Sequence, residues 1–157
     1  MTLDPVLARI DENLDAATAR LLDLLRIPSI STDPAYKADC DRAADWLVED
    51  LKSIGFEASK RPTPGHPMVV AHSDGDGPHI LFYGHYDVQG VDNPRAAWDV
   101  DPFAAVVRDG YLIARGASDN KGPGPLVTAL SRQAGTLPVP ITIVPEDLSK
   151  ERLEAIT

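Results

Sequence analysis

His85 and Asp87 stand two positions apart at the end of an apolar run, Ile80 to Tyr83, that stops at Gly90. Successive strand side chains point to opposite faces, so a histidine and a carboxylate at i and i+2 look out on the same side. That spacing can serve a divalent metal. A neutral imidazole binds an ion through one nitrogen, and a nearby carboxylate fixes the ring's orientation through the other. By itself, His-x-Asp discriminates little. Thirty-four positions after His85 comes Asp119, within Ala114-Arg115-Gly116-Ala117-Ser118-Asp119-Asn120-Lys121-Gly122. The glycines around it let backbone approach a ligand closely. The loop then opens a helix, and an isolated Asp in such a place is more often an N-cap accepting from free backbone N–H groups.

The other histidines lack a matching carboxylate nearby. His66 falls in a proline-rich turn, His72 in a strand and His79 at a strand edge, so all three are left outside the candidate site. Trp98, in the loop from Gly90 to Pro102, suits either a pocket wall or a ring pinned against the core.

The elements that must position these residues are read from periodicity. Val6, Ile10, Leu14, Ala17, Leu21 and Leu25 recur at steps of three and four, which predicts a surface helix over Met1–Arg26, with Asp4-Pro5 at its start and Pro28 as its stop. Ile27 to Tyr36 reads as a loop. A second helix is expected over Lys37–Ile54, with Cys40, Ala43, Ala44, Leu47, Leu51 and Ile54 on its inner face. Strands follow at Phe56–Arg61, Met68–His72 and Ile80–Tyr86. The last is apolar almost continuously, a pattern expected of a strand covered on both faces. Asp109-Gly110 between Ala105–Arg108 and Tyr111–Ala114 is a hairpin signal that would bring Asp119 back toward the sheet. A helix starting at Pro123 to Pro125 and ending near Gly135, then a strand over Val139–Val144, complete a single α/β domain with helices on a mixed sheet. Ligands in such sheets bind at the strands' carboxyl ends, near Asp87 and Asp119.

At 157 residues, with 43% hydrophobic and 25% charged side chains, the chain has the length of one domain and can bury a core. A formal net charge of −9 argues against nucleic acid or anionic membrane as partner, since both reward clustered Lys and Arg. It equally serves solubility or a carboxylate-rich site that collects cations. Cys40 is the only cysteine, so no intramolecular disulfide can form, which fits a reducing compartment. No apolar stretch approaches the ~20 residues of a membrane span and no signal-peptide pattern opens the chain, so a cytoplasmic location is expected.

Gly84-His85-Tyr86-Asp87-Val88-Gln89, Trp98, Asp101-Pro102-Phe103, Asp109-Gly110 and Arg115 to Gly122 occur in this order. Together they resemble the di-zinc M20 metallopeptidases, particularly the carnosinase-like dipeptidase branch. The likeness is dense from about Ile80 to Leu130 and looser over Leu24–Ser31 and Ala43–Phe56.

That resemblance implies a phosphorylase/hydrolase-like zinc peptidase catalytic domain, of which residues 1–157 form an incomplete version without the lid or dimerisation domain. It implies two zinc ions, with manganese or cobalt as substitutes. His85 would be a ligand to one ion, Asp119 the carboxylate bridging both, and Asp87 the residue of the catalytic site that orients the imidazole. The implied reaction is hydrolysis of dipeptides or similar small amides, with N-acyl amino acid deacylation as the alternative inside the family. The family's two adjacent glutamates, one a general base and one a ligand, would fall without gaps at Leu148 and Ser149, which can do neither. Glu146, Asp147, Glu151 and Glu154 lie close, but Pro145 to Glu151 reads as a helix start. A second expectation, of another class, is therefore a non-catalytic fragment or pseudo-enzyme that binds metal weakly or pairs with another chain through an uncovered sheet edge.

Overall fold

The computed structural model describes residues 4–76, 78–91, 98–122 and 141–145. The helix expected from Pro123 to Gly135, the candidate positions 146–154 and most of the loop after Val91 lie outside the described residues. Helix α1 runs Asp4–Leu25 and helix α2 Lys37–Lys52. Pro5 falls in the first turn of α1, where a missing N–H costs nothing. At the other end Arg26 N and Ile27 N still close onto Leu22 O and Leu24 O, and Pro28 then prevents a further turn. The segment expected as loop contains a 3₁₀ turn, Pro34–Tyr36, started by Asp33, whose side chain accepts from Ala35 N at 2.9 Å.

Cys40, Ala43, Ala44, Val48 and Leu51 form the buried stripe of α2, and Leu47 and Ile54 pack against the same core. The stripe faces β1 (Glu57–Arg61) and β2 (Met68–Ser73), and Met68, Val69, Val70 and Ala71 are all buried. Four residues buried in a row require cover on both faces of a central strand. Strand β3 is Ile80–Gly84, the hairpin strands β4 and β5 are Val106–Arg108 and Tyr111–Ile113, and β6 is Ile141–Pro145.

The main sheet has the order β1-β2-β6-β3. Strands β1 and β2 pair antiparallel, with Ala58 opposite Ala71, and β2 and β6 pair antiparallel, with Ala71 opposite Ile143. Strand β3 runs parallel to β6, from Ile80 opposite Ile141 to Gly84 opposite Pro145. The sheet is therefore mixed, as expected, and α/β in class. Parallel strands need a crossover connection, and the described chain leaves the carboxyl end of β3 at Gly84 to begin it. The candidate site sits on the first part of that crossover.

Two expectations need correction. The continuous apolar run of β3 suggested cover on both faces, yet Ile80, Leu81 and Tyr83 are exposed and β3 is an edge strand among the described residues. An apolar run reports what a strand would bury, not which neighbour does so. Of the stripe expected on α1, Leu14 is exposed and full burial is reached only at Leu25. The hairpin follows the sequence reading: Val106 pairs with Ile113 and Arg108 with Tyr111, leaving Asp109 and Gly110 as a two-residue turn at φ 53° and 80°. Positive φ at both central residues is what the Asp-Gly pair supplies.

Candidate metal centre

Strand β3 stops at Gly84, so His85 and Asp87 are not held together by the strand pleat as the spacing suggested. Their side chains meet directly instead. Asp87 Oδ1 lies 2.9 Å from His85 Nδ1, and the Asp87 carbonyl oxygen lies 3.3 Å from the same nitrogen. On the other side of the ring, Asp119 Oδ1 is 2.9 Å from Nε2. One imidazole thus stands between two carboxylates. The His85 side chain is 29% exposed and that of Asp87 22%, whereas Asp119 is 83% exposed and faces solvent. Burial pulls the His85 pKa down, but hydrogen bonding by Asp119 and the charge of Asp87 outweigh it, and the net direction is upward.

Three devices hold these residues in place. The segment just after α1 lies alongside the His85–Val88 stretch: Ser29 Oγ donates to Tyr86 O at 2.7 Å, Val88 N donates to Ser29 O at 2.9 Å, and Ile30 bridges Val88 in parallel. Ser31 Oγ donates to the second oxygen of Asp87. The loop from Ala114 to Gly122 is fastened by Lys121, whose Nζ donates to Ile27 O at 2.6 Å and Leu24 O at 3.1 Å. Its side chain is fully buried, and burial chiefly lowers its pKa to about 8. Asn120 Oδ1 accepts from the His85 backbone N–H at 3.4 Å. Arg115 ties the same loop outward: its guanidinium stacks over Trp98 at 5.1 Å and donates to Gly90 O at 3.2 Å. Trp98 is thus a stacking platform at the rim.

His85, Asp87, Val88, Gln89 and the stretch Ala114–Asp119 line one cavity of about 200 Å³. His85, Asp87 and Asp119, the residues expected from type and spacing, come together. Ser31, Lys121 and Asn120 support them through contacts that type and spacing do not announce, although Lys121 and Asn120 stand within the motif of the resemblance. His66, set aside earlier, has no direct contact with the trio, although its Nε2 lies 2.9 Å from Ser31 O.

The chemistry of the donors bears on a metal ion. His85 Nε2 and the exposed Asp119 carboxylate are an imidazole nitrogen and a hard oxygen directed at each other, a donor pair that suits zinc or a related ion. Asp87 is committed to His85 Nδ1 and Ser31, so it supports the ring and does not add a donor. Among the described residues no group of three His, Cys, Asp or Glu side chains is arranged to hold a metal. The described residues thus fit half of a centre, short of the three protein ligands usual in catalytic zinc sites.

The described residues thus form a mixed α/β sheet with one histidine between two carboxylates beyond the end of β3. Comparison with known proteins places this arrangement in a family. Residues 81–145 match the model of peptidase family M20/M25/M40. The chain is 32% identical over 136 residues to the Cys-Gly metallodipeptidase dug1 of Schizosaccharomyces pombe, covering 78% of this chain and 28% of that protein. It is 40% identical over 115 residues to the succinyl-diaminopimelate desuccinylase of Methylobacterium radiotolerans, covering 69% of this chain and 27% of the relative. In fold it superposes on the dipeptidase Dug1p of Saccharomyces cerevisiae with a TM-score of 0.84 at 24% identity, over 99% of this chain and 37% of that one. Residues 81–145 belong to the M20 peptidase family, and the chain around them resembles its dipeptidase-type hydrolases. It spans little more than a quarter of the length of these curated relatives, 28% and 27%.

Proposed function

We propose that this chain contributes the first part of the catalytic domain of a metal-dependent dipeptidase, with His85 and Asp119 holding a divalent ion and Asp87 orienting His85. The observation that carries this reading is the single imidazole set 2.9 Å from a carboxylate on each side, in the motif order of the M20 resemblance. Zinc is the ion proposed, with a second one bridged by Asp119 as the resemblance implies. An ion held there would supply the Lewis acidity that polarises an amide carbonyl.

The chain's own residues prepare that chemistry. Asp87 keeps the proton on Nδ1, which leaves the Nε2 lone pair free for the ion. Asp119 offers its oxygens from an exposed position, so an ion can enter without the core opening. Lys121 and Arg115 fix the loop that carries Asp119, so the distance between the two donors is set by folding and not by the ion. The cavity of about 200 Å³ is below the usual range for drug-sized ligands, which suits a small amide substrate.

The test is zinc titration by calorimetry on chelator-stripped protein, wild type against His85→Ala and Asp119→Ala. Binding in wild type that both substitutions abolish is expected. Zinc binding that survives both would remove the assignment. A second reading, N-acyl amino acid deacylation, is favoured by the 40% identity to a desuccinylase. Hydrolysis of a dipeptide against an N-succinyl amino acid by the same samples separates the two, and zinc binding with turnover of neither would leave the non-catalytic reading.

A further inference from the structure

We propose that Ser31 is a positioning residue for the metal centre, which sets the tautomer of His85 by holding the far oxygen of Asp87. This rests on the reading of His85 as a metal ligand. Asp87 has two oxygens in different company: Oδ1 takes the His85 Nδ1 contact at 2.9 Å, and Oδ2 takes the Ser31 hydroxyl proton. A carboxylate held at both oxygens cannot turn about its own bond, so Oδ1 stays in line with the ring and keeps the proton at Nδ1. With Oδ2 released, the carboxylate gains a torsion, and Asp119, already 2.9 Å from Nε2, gains in the competition for the ring proton at the nitrogen needed for the ion.

Ser31 is itself anchored. Its carbonyl oxygen lies 2.9 Å from His66 Nε2, and its neighbours Ser29 and Ile30 are buried and joined to Tyr86 and Val88. The hydroxyl therefore approaches Asp87 from a fixed backbone. The path runs from His66 through Ser31 and Asp87 to His85, and only the hydroxyl-to-carboxylate link depends on the Ser31 side chain. Truncation to alanine leaves the His66 contact to the backbone carbonyl available, which makes the substitution selective.

The deciding experiment is long-range ¹H–¹⁵N correlation of the His85 imidazole in the intact, metal-free protein, at a pH where the ring is neutral, for wild type, Ser31→Ala and Ser31→Thr. The Nδ1-protonated fraction is expected to fall in Ser31→Ala and to return in Ser31→Thr, which restores the hydroxyl. Zinc titration on the same samples is expected to show about tenfold weaker binding in Ser31→Ala, the lower end of what loss of an outer-shell partner costs. A tautomer fraction equal to wild type in Ser31→Ala overturns the proposal, whatever the zinc affinity. If Ser31→Ala does not fold, Ser31→Cys, similar in size and a weaker donor, is judged by the same fraction. Absence of zinc binding in wild type would defeat the metal reading, while the metal-free spectrum would still decide the role of Ser31.

Discussion

Asp87 works with both oxygens committed, so its amide analogue is an informative change. Asp87→Asn keeps the shape but weakens acceptance from His85 Nδ1–H, and zinc affinity is expected to fall about 10- to 100-fold by calorimetry. Unchanged affinity would mean that the ring is oriented by something else. Lys121 allows a pH prediction with a definite sign. Burial chiefly lowers its pKa from 10.5 to about 8 in the folded state, so between those values the unfolded chain holds the proton more often than the folded one. Stability contributed by this group therefore rises as pH passes from about 8 toward 10.5, and is flat below, where both states are protonated. Urea unfolding at pH 8 and pH 10 is expected to show a gain for wild type that Lys121→Met lacks. His85, Asp87 and Asp119 were legible beforehand because their types and order carry chemistry within a short motif. Ser31 and Lys121 were not, because their bonds reach 56, 97 and 94 positions along the chain and leave no local pattern.

The loop from Ala114 to Gly122 is the element that carries Asp119 of the candidate centre, and Gly116 is one of its positions least open to substitution. It has φ 84°, and a Cβ there would lie 2.7 Å from Val88 Cγ1. Gly116→Ala combines backbone strain on the order of 1–3 kcal/mol with that clash, and is expected to lower the melting temperature and loosen zinc together. Retention of both would show that the loop can shift without loss. By contrast, Lys60, shared by Asp41 at 3.1 Å and Asp45 at 2.7 Å on the surface, is expected to cost less than about 1 kcal/mol in urea unfolding when changed to Ala. The helices and the Asp109-Gly110 hairpin were readable because periodicity and turn residues are local signals. The end of β3 at Gly84 and the exposure of its apolar residues were not, since both depend on which strand arrives beside it.

Across the whole molecule, the sheet ends in β3, which pairs with β6 and with no strand on its other side among the described residues. Ile80 and Leu81 are about half exposed there, at 47% and 54%. An exposed apolar edge strand is a template for pairing, so light scattering is expected to report species larger than a monomer, reduced by Leu81→Lys. A clean wild-type monomer would remove that expectation. No helix among the described residues is long and apolar enough to cross a membrane. The acidity and the α/β class were available from composition and element order, whereas the strand order was not, because parallel pairing of β3 with β6 joins segments on either side of a long crossover. The clamp of Lys121 on the end of α1 has a consequence for how the molecule comes into being. Its two bonds close loops of 97 and 94 positions, whose chain entropy must be lost before the contacts repay it. During synthesis α1 emerges long before its partner, and its last carbonyls must wait on water until Lys121 arrives. The two candidate donors, His85 and Asp119, then come into register only once the segment through Lys121 has left the ribosome.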